Sequence, residues 1–277
     1  MHEISDCVAG VDFIDAGAGP LVLLVHSSMA GARQWSALSQ SLEHRSLVRA
    51  VNLFGYGNTP AWSGAMPPSL DDYAELLARA VPASAGPISI VGHSFGAAVA
   101  MQAAAHQLQG RVSRLVLIEP SLFYLLDCSE HWEAYCEISS LAAYTKRCIA
   151  NGMPQAAAAR FVDYWCGAGT WAASSPDKRA ALTRLVALLP HEWNAVLEGD
   201  ATLAEWRAAL PQSTLVIAAG RTRRPSRELV DLLAQLRPDW ECTTIGDADH
   251  MVPLTHAHLV NPIIKGFLAE RQPVMAY

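Results

Sequence analysis

The chain has 277 residues, 51% of them apolar, and a formal net charge of −6. That length and apolar content suffice for one large core with a helical insertion, and the acidic balance argues against a nucleic-acid partner. The arginine group at Arg221, Arg223, Arg224 and Arg227 is too short and isolated to reverse that expectation.

In chain order, residues 2–14 read as one or two antiparallel edge strands. Short apolar runs and Ala/Leu-rich helical stretches then alternate, which predicts βαβ units and a mostly parallel sheet. The predicted buried strands are Leu21–His26, Leu47–Val51, Ile88–Gly92, Val112–Glu119, Ser213–Ala219 and Glu241–Gly246. Several read as unbroken apolar runs, as parallel strands covered on both faces do. The predicted helices are Arg33–Leu42, Ser69–Ala80, Phe95–Gln107, Ser226–Leu236 and His256–Glu270. Ser69 with Asp72 has the spacing of an N-terminal cap.

The alternation fails once. More than ninety residues between the fourth and fifth of these strands are helical in pattern, and a structureless loop of that size is implausible. Residues 122–210 are therefore expected to form a helical cap, with 1–121 and 211–277 as the core. The cap carries five of the eight tryptophans, Trp132, Trp165, Trp171, Trp193 and Trp206, either as its own small core or as the wall of a binding cavity.

Residues 92–96 read Gly-His-Ser-Phe-Gly after an apolar strand and before an alanine-rich helix, the context that a G-x-S-x-G nucleophile turn requires. Such a turn is tight enough to strain its central residue. Gly92 and Gly96 flank it because side chains there would collide with the crossing chain. The turn sets Ser94 at a helix N-terminus, where free N–H groups and the helix dipole favour negative charge. His93 is expected to pack rather than react, since neighbours on such a turn point apart.

On these residues, together with His26-Ser27-Ser28 after the first buried strand, the Gly55-Tyr56-Gly57 turn and a late His250, the chain resembles the α/β-hydrolase superfamily over nearly its whole length. The resemblance implies an α/β-hydrolase fold: an eight-stranded, mostly parallel sheet flanked by helices, with the cap inserted after the sixth strand. It implies Ser94 as nucleophile and His250, in the loop after the last strand, as its base. The usual place for the acid is the loop after the penultimate strand. That loop here reads Ala219-Gly220-Arg221-Thr222-Arg223-Arg224 and holds no carboxylate. Some members, haloalkane dehalogenases among them, carry the acid one strand earlier, and Glu119 occupies that position at the C-terminal end of a buried strand. Asp247 and Asp249 are rivals, although their closeness to His250 in sequence makes the approach awkward. The alternative roles for Glu119 are a pair with an arginine of the 221–224 loop and a carboxylate that binds the cap.

The oxyanion donors are expected to be the Phe95 and Ser28 N–H groups, with the Ser28 hydroxyl as a candidate third. His26 is expected to brace its loop, and Tyr56 is a candidate for the pocket wall. The activity implied is that of a cofactor-independent serine hydrolase acting on an ester or a related acyl bond (a thioester, a lactone, or a C–C bond β to a carbonyl). The alternatives are a ligand-binding protein on the same scaffold and an acyltransferase. The partner expected is a small molecule, an apolar or aromatic acyl compound; the sequence does not set the oligomeric state. No zinc-ligand spacing occurs, so neither metal nor cofactor is expected. No secretory signal is recognised, so a cytoplasmic location, free thiols and no membrane partner are expected.

Overall fold

A computed structural model describes residues 5–8 and 10–269. The strands run in the order β1 Ser5–Val8, β2 Val11–Ala16, β3 Leu21–Val25, β4 Leu47–Val51, β5 Ile88–His93, β6 Val112–Ile118, β7 Thr214–Ala219 and β8 Glu241–Ile245. They form one eight-stranded sheet ordered β1-β2-β4-β3-β5-β6-β7-β8. The β1–β2 and β2–β4 pairs are antiparallel, and every pair from β4 across to β8 is parallel. The predicted edge positions 2–4 and 9 and the predicted helix end at 270 lie outside the described residues.

Apolar side chains on both faces of the sheet explain the unbroken runs. Leu21, Leu23 and Val25 enter one buried cluster with helices α2 (Leu70–Arg79) and α3 (Phe95–Ala105). Val22 and Leu24 enter the other, with α1 (Ser36–Leu42) and α12 (Ala257–Ala269). The predicted capping box opens α2: the Asp72 N–H donates to Ser69 Oγ at 3.3 Å and the Ser69 N–H to Asp72 Oδ2 at 2.7 Å, which stabilises the helix by about 1 kcal/mol. The first predicted helix is part 3-10: Ala32–Trp35 is a 3-10 turn leading into α1.

Between β6 and β7 the chain is helical throughout. A 3-10 turn at Phe123–Leu126 leads to α4 Trp132–Ala150, α5 Pro154–Cys166, α6 Thr170–Ala173, α7 Pro176–Leu185, α8 Leu189–Leu197 and α9 Leu203–Ala209. Ile138, Trp165, Trp193 and Trp206 of this segment join the α2/α3 cluster. The tryptophans divide between the two expected roles, with Trp206 packed into the interior, Trp165 and Trp193 walling a cavity, and Trp132 54% exposed. The chain closes with α10 Arg224–Leu236, the short α11 Val252–Thr255 and α12. Among the described residues no helix is long and apolar enough to cross a membrane.

Candidate active site

Ser94 lies between β5 and α3 with φ 54° and ψ −119°, one of three non-glycine residues at positive φ among those described. Steric crowding enforces the two flanking glycines. A Cβ on Gly92 would stand 2.5 Å from the Gly96 carbonyl oxygen, and one on Gly96 would stand 2.3 Å from that of Val25. The Ser94 N–H donates to the Ile118 carbonyl at 2.9 Å, so the turn hangs from neighbouring strand β6.

The turn beyond β8 brings His250 to Ser94, with Nε2 2.9 Å from Oγ. Its Nδ1 lies 3.1 Å from Glu119 Oε2. Glu119 follows β6 at φ 48° and is wholly buried, as its position at the end of an inner strand dictates. The loop after β7, which lacks an acid, holds this one in place. The Ala219 N–H donates to Oε1 at 2.8 Å, and the Thr222 hydroxyl donates to Oε2. With both oxygens already accepting, the carboxylate is an acceptor for His250 Nδ1–H as well, leaving Nε2 free to accept from Ser94.

The rival assignments place their residues elsewhere. Asp249 turns to Arg221, 3.9 Å away at the surface, and the Asp247 carbonyl also accepts from Arg221. Arg223 does not pair with Glu119. It donates to the Tyr164 carbonyl at 2.8 Å and lies over the Tyr164 ring.

The histidine beside Ser94 does more than pack. The His93 ring donates from Nε2 to the His250 carbonyl at 2.8 Å, and Nδ1 accepts from the Gln34 amide at 3.2 Å. Gln34 Oε1 in turn accepts from the Ser27 N–H and hydroxyl, at 3.1 and 2.8 Å. A buried relay thus ties the Ser27–Ser28 turn to the backbone of His250. Burial and the neighbouring His250 push the His93 pKa down to about 3, so its ring is neutral. His26 is the brace expected: Nδ1 donates to the Ser27 carbonyl at 2.8 Å and Nε2 accepts from the Leu53 N–H at 3.1 Å, with burial holding its pKa at about 4.

Ser28 and Phe95 line one cavity with Ser94. The N–H groups on either side of Ser28 are engaged, that of Ser27 by Gln34 and that of Met29 by the Tyr56 hydroxyl at 2.8 Å. Tyr56 is absent from the cavity wall. It is buried behind the wall and donates at 2.7 Å to Glu192 Oε1. Glu192 projects from α8 into the wall. Burial raises its pKa to about 7, and the Ser28 and Tyr56 hydroxyls partly offset that rise. At hydrogen-bond geometry Oε1 alone is engaged. Phe123, Phe161, Trp165 and Trp193 make the rest of the wall largely aromatic, and the Trp165 ring lies 4.0 Å from that of His250. The free volume is about 20 Å³, room for little more than one water. A larger groove of about 550 Å³, between α2, α3 and α9, touches none of these catalytic candidates.

Residues 22–263 match the model of the alpha/beta hydrolase family. The chain belongs to that family. Among its relatives, this α/β hydrolase is 28% identical over 259 residues to a pimeloyl-[acyl-carrier protein] methyl ester esterase of Aromatoleum aromaticum, covering 89% of this chain and 99% of that one. It is 36% identical over 107 residues to the lipase LipV of Mycobacterium tuberculosis, a match spanning 38% of this chain and only 39% of the lipase. Its fold superposes on the crystal structure of a hydrolase from Pseudomonas aeruginosa with a TM-score of 0.75 at 20% identity, over 96% of this chain and 98% of that one.

Sequence reasoning missed Glu192, Ser121, Thr222 and Gln34. Only Glu192 left a signal, as a carboxylate inside the apolar stretch Leu185–Leu197.

Proposed function

We propose that this protein is a serine hydrolase of carboxylic esters and related acyl compounds, with residues 122–210 acting as a cap over the site. Ser94 Oγ attacks the acyl carbon as its proton passes to His250 Nε2. The Phe95 and Ser28 N–H groups hold the resulting oxyanion. Glu119 fixes the imidazole tautomer and stabilises the imidazolium. The intermediate collapses, His250 protonates the departing alkoxide, and water attacks the acyl-enzyme by the same route in reverse.

The observation that carries this reading is the line of contacts Ser94 Oγ–His250 Nε2 at 2.9 Å and His250 Nδ1–Glu119 Oε2 at 3.1 Å, all three side chains being buried. The full-length likeness to a methyl ester esterase supports esters as the bond class. The aromatic wall favours an apolar acyl group.

The test is turnover of p-nitrophenyl acetate and labelling by a fluorophosphonate. Wild-type protein should do both, with the label on Ser94. Ser94→Ala should lose the label and about 10³-fold or more of the rate. Labelling elsewhere, or undiminished turnover in Ser94→Ala, sinks the proposal.

A further inference from the structure

Two polar atoms in the wall of the Ser94 cavity have no partner at hydrogen-bond geometry among the described residues, Glu192 Oε2 and Ser121 Oγ, although the Ser28 hydroxyl stands near the Glu192 carboxyl. Both side chains are buried, 3% and 4% exposed. A carboxylate oxygen held away from water without a donor is costly, and native structures rarely tolerate one without a use for it. Glu192 is also held firmly. Its other oxygen takes the Tyr56 hydroxyl, which itself accepts from the Met29 N–H beside the Ser28 turn. The carboxylate is thus preorganised and tied to the turn proposed to bind the oxyanion.

We propose that Glu192 is the specificity-determining residue of the site, its free oxygen accepting a hydrogen bond from a hydroxyl that the acyl substrate carries close to the scissile carbonyl. This rests on Ser94 being the acyl-attacking group. The remaining wall is largely aromatic and offers no second carboxylate. A hydroxyl presents one donor, which Oε2 matches. An ammonium presents three, more than that one carboxylate oxygen matches. Glu192 and Ser94 line the same cavity, which sets the hydroxyl near the scissile carbonyl. A donor arriving from substrate also stabilises the carboxylate against the burial that raises the Glu192 pKa. A site built to pair a hydroxyl discriminates strongly against analogues that lack it, because its own polar group is then stranded.

The test uses the full chain carrying Ser94→Ala, so that esters bind without reacting. Dissociation constants are measured by ligand-observed NMR titration for two isosteric pairs: methyl lactate against methyl 2-methylpropanoate, and methyl 3-hydroxybutanoate against methyl 3-methylbutanoate. Methyl 3-aminobutanoate is the ammonium arm. In at least one pair the hydroxyl ester should bind about tenfold tighter or more. Adding Glu192→Met or Glu192→Leu should bring that ratio to within about twofold. Equal affinities in both pairs overturn the proposal, as does a preference that survives loss of Glu192, or the ammonium ester binding best. Turnover of the same esters by wild-type protein is scored separately. Hydroxyl preference without turnover removes the hydrolase reading alone, and turnover without preference removes this one alone.

Discussion

Glu119→Gln tests the catalytic line at its buried end, and the structure dictates how the new side chain must sit. The Ala219 N–H already points at Oε1 from 2.8 Å, so the amide oxygen has to occupy that site; the reverse orientation would set two donors face to face. The amide nitrogen then replaces Oε2, between the Thr222 hydroxyl and His250 Nδ1. The Thr222 hydroxyl can rotate and accept. The His250 ring can satisfy an N–H donor only by giving up its Nδ1 proton and carrying it on Nε2, opposite Ser94. That tautomer cannot take the serine proton, and the charge that steadied the imidazolium is gone as well. Wrong-tautomer substitutions in serine proteases cost about 10⁴-fold in rate, or about 5.5 kcal/mol on the barrier. The same loss is expected here in kcat/KM for p-nitrophenyl acetate and in the rate of fluorophosphonate labelling, with an unchanged circular dichroism spectrum. Asp249→Asn, which alters a half-exposed partner of Arg221, should stay within about twofold of wild type. Labelling of Glu119→Gln within tenfold of wild type would refute the argument.

Ser94→Gly should be more stable than Ser94→Ala by about 1 kcal/mol, because both lose the hydroxyl but only glycine relaxes at φ 54° and ψ −119°. Calorimetry should place the glycine variant about 2–4 °C higher, reversing the usual order of the two residues; alanine melting higher would dismiss strain at this turn. Acid stability should depend on His93, whose pKa falls from 6.5 to about 3 on folding. The unfolded chain binds the extra proton in that window, so stability is full above pH 6.5 and declines as pH falls, by about 5 kcal/mol at the lower end. His93→Gln should flatten that slope in urea titrations between pH 4 and 7, and an equal slope in both proteins would contradict a neutral buried ring.

The sheet was legible because parallel strands buried on both faces are largely apolar. Leu47–Val51 is a strand from end to end, and the other inner strands differ from expectation by a residue at one end. Ser94 was legible because Gly92 and Gly96 are sterically compulsory, a demand that shows in residue type. Glu119 could be found by the same logic, a carboxylate ending an apolar strand. What stayed hidden depends on meetings between remote segments. Nothing local to Gln34 announces that it will bridge Ser27 to His93, and no pattern in the 219–224 loop says that Ala219 and Thr222 will clasp an acid a hundred residues away. Tyr56, a candidate for the pocket wall, stands one layer behind it, because its hydroxyl is consumed by Met29 and Glu192.

Ser94 and Glu119 each follow one partner of the His93–Ile118 pair on adjacent parallel strands, joined by the Ser94 N–H to Ile118 bond. Their separation is inherited from the sheet and cannot drift as surface segments change. Only the imidazole is delivered on a turn. The tip beyond β7, relieved of carrying a carboxylate, needs to retain little more than the Ala219 amide and one hydroxyl. The rest of that tip is released to other uses, and Arg221, Arg223, Arg224 and Arg227 now rim a cleft of about 290 Å³ that reaches His250 from outside. On the proposed assignment of Glu119 as the acid, the stretch beyond β7 can diversify while the reaction stays intact.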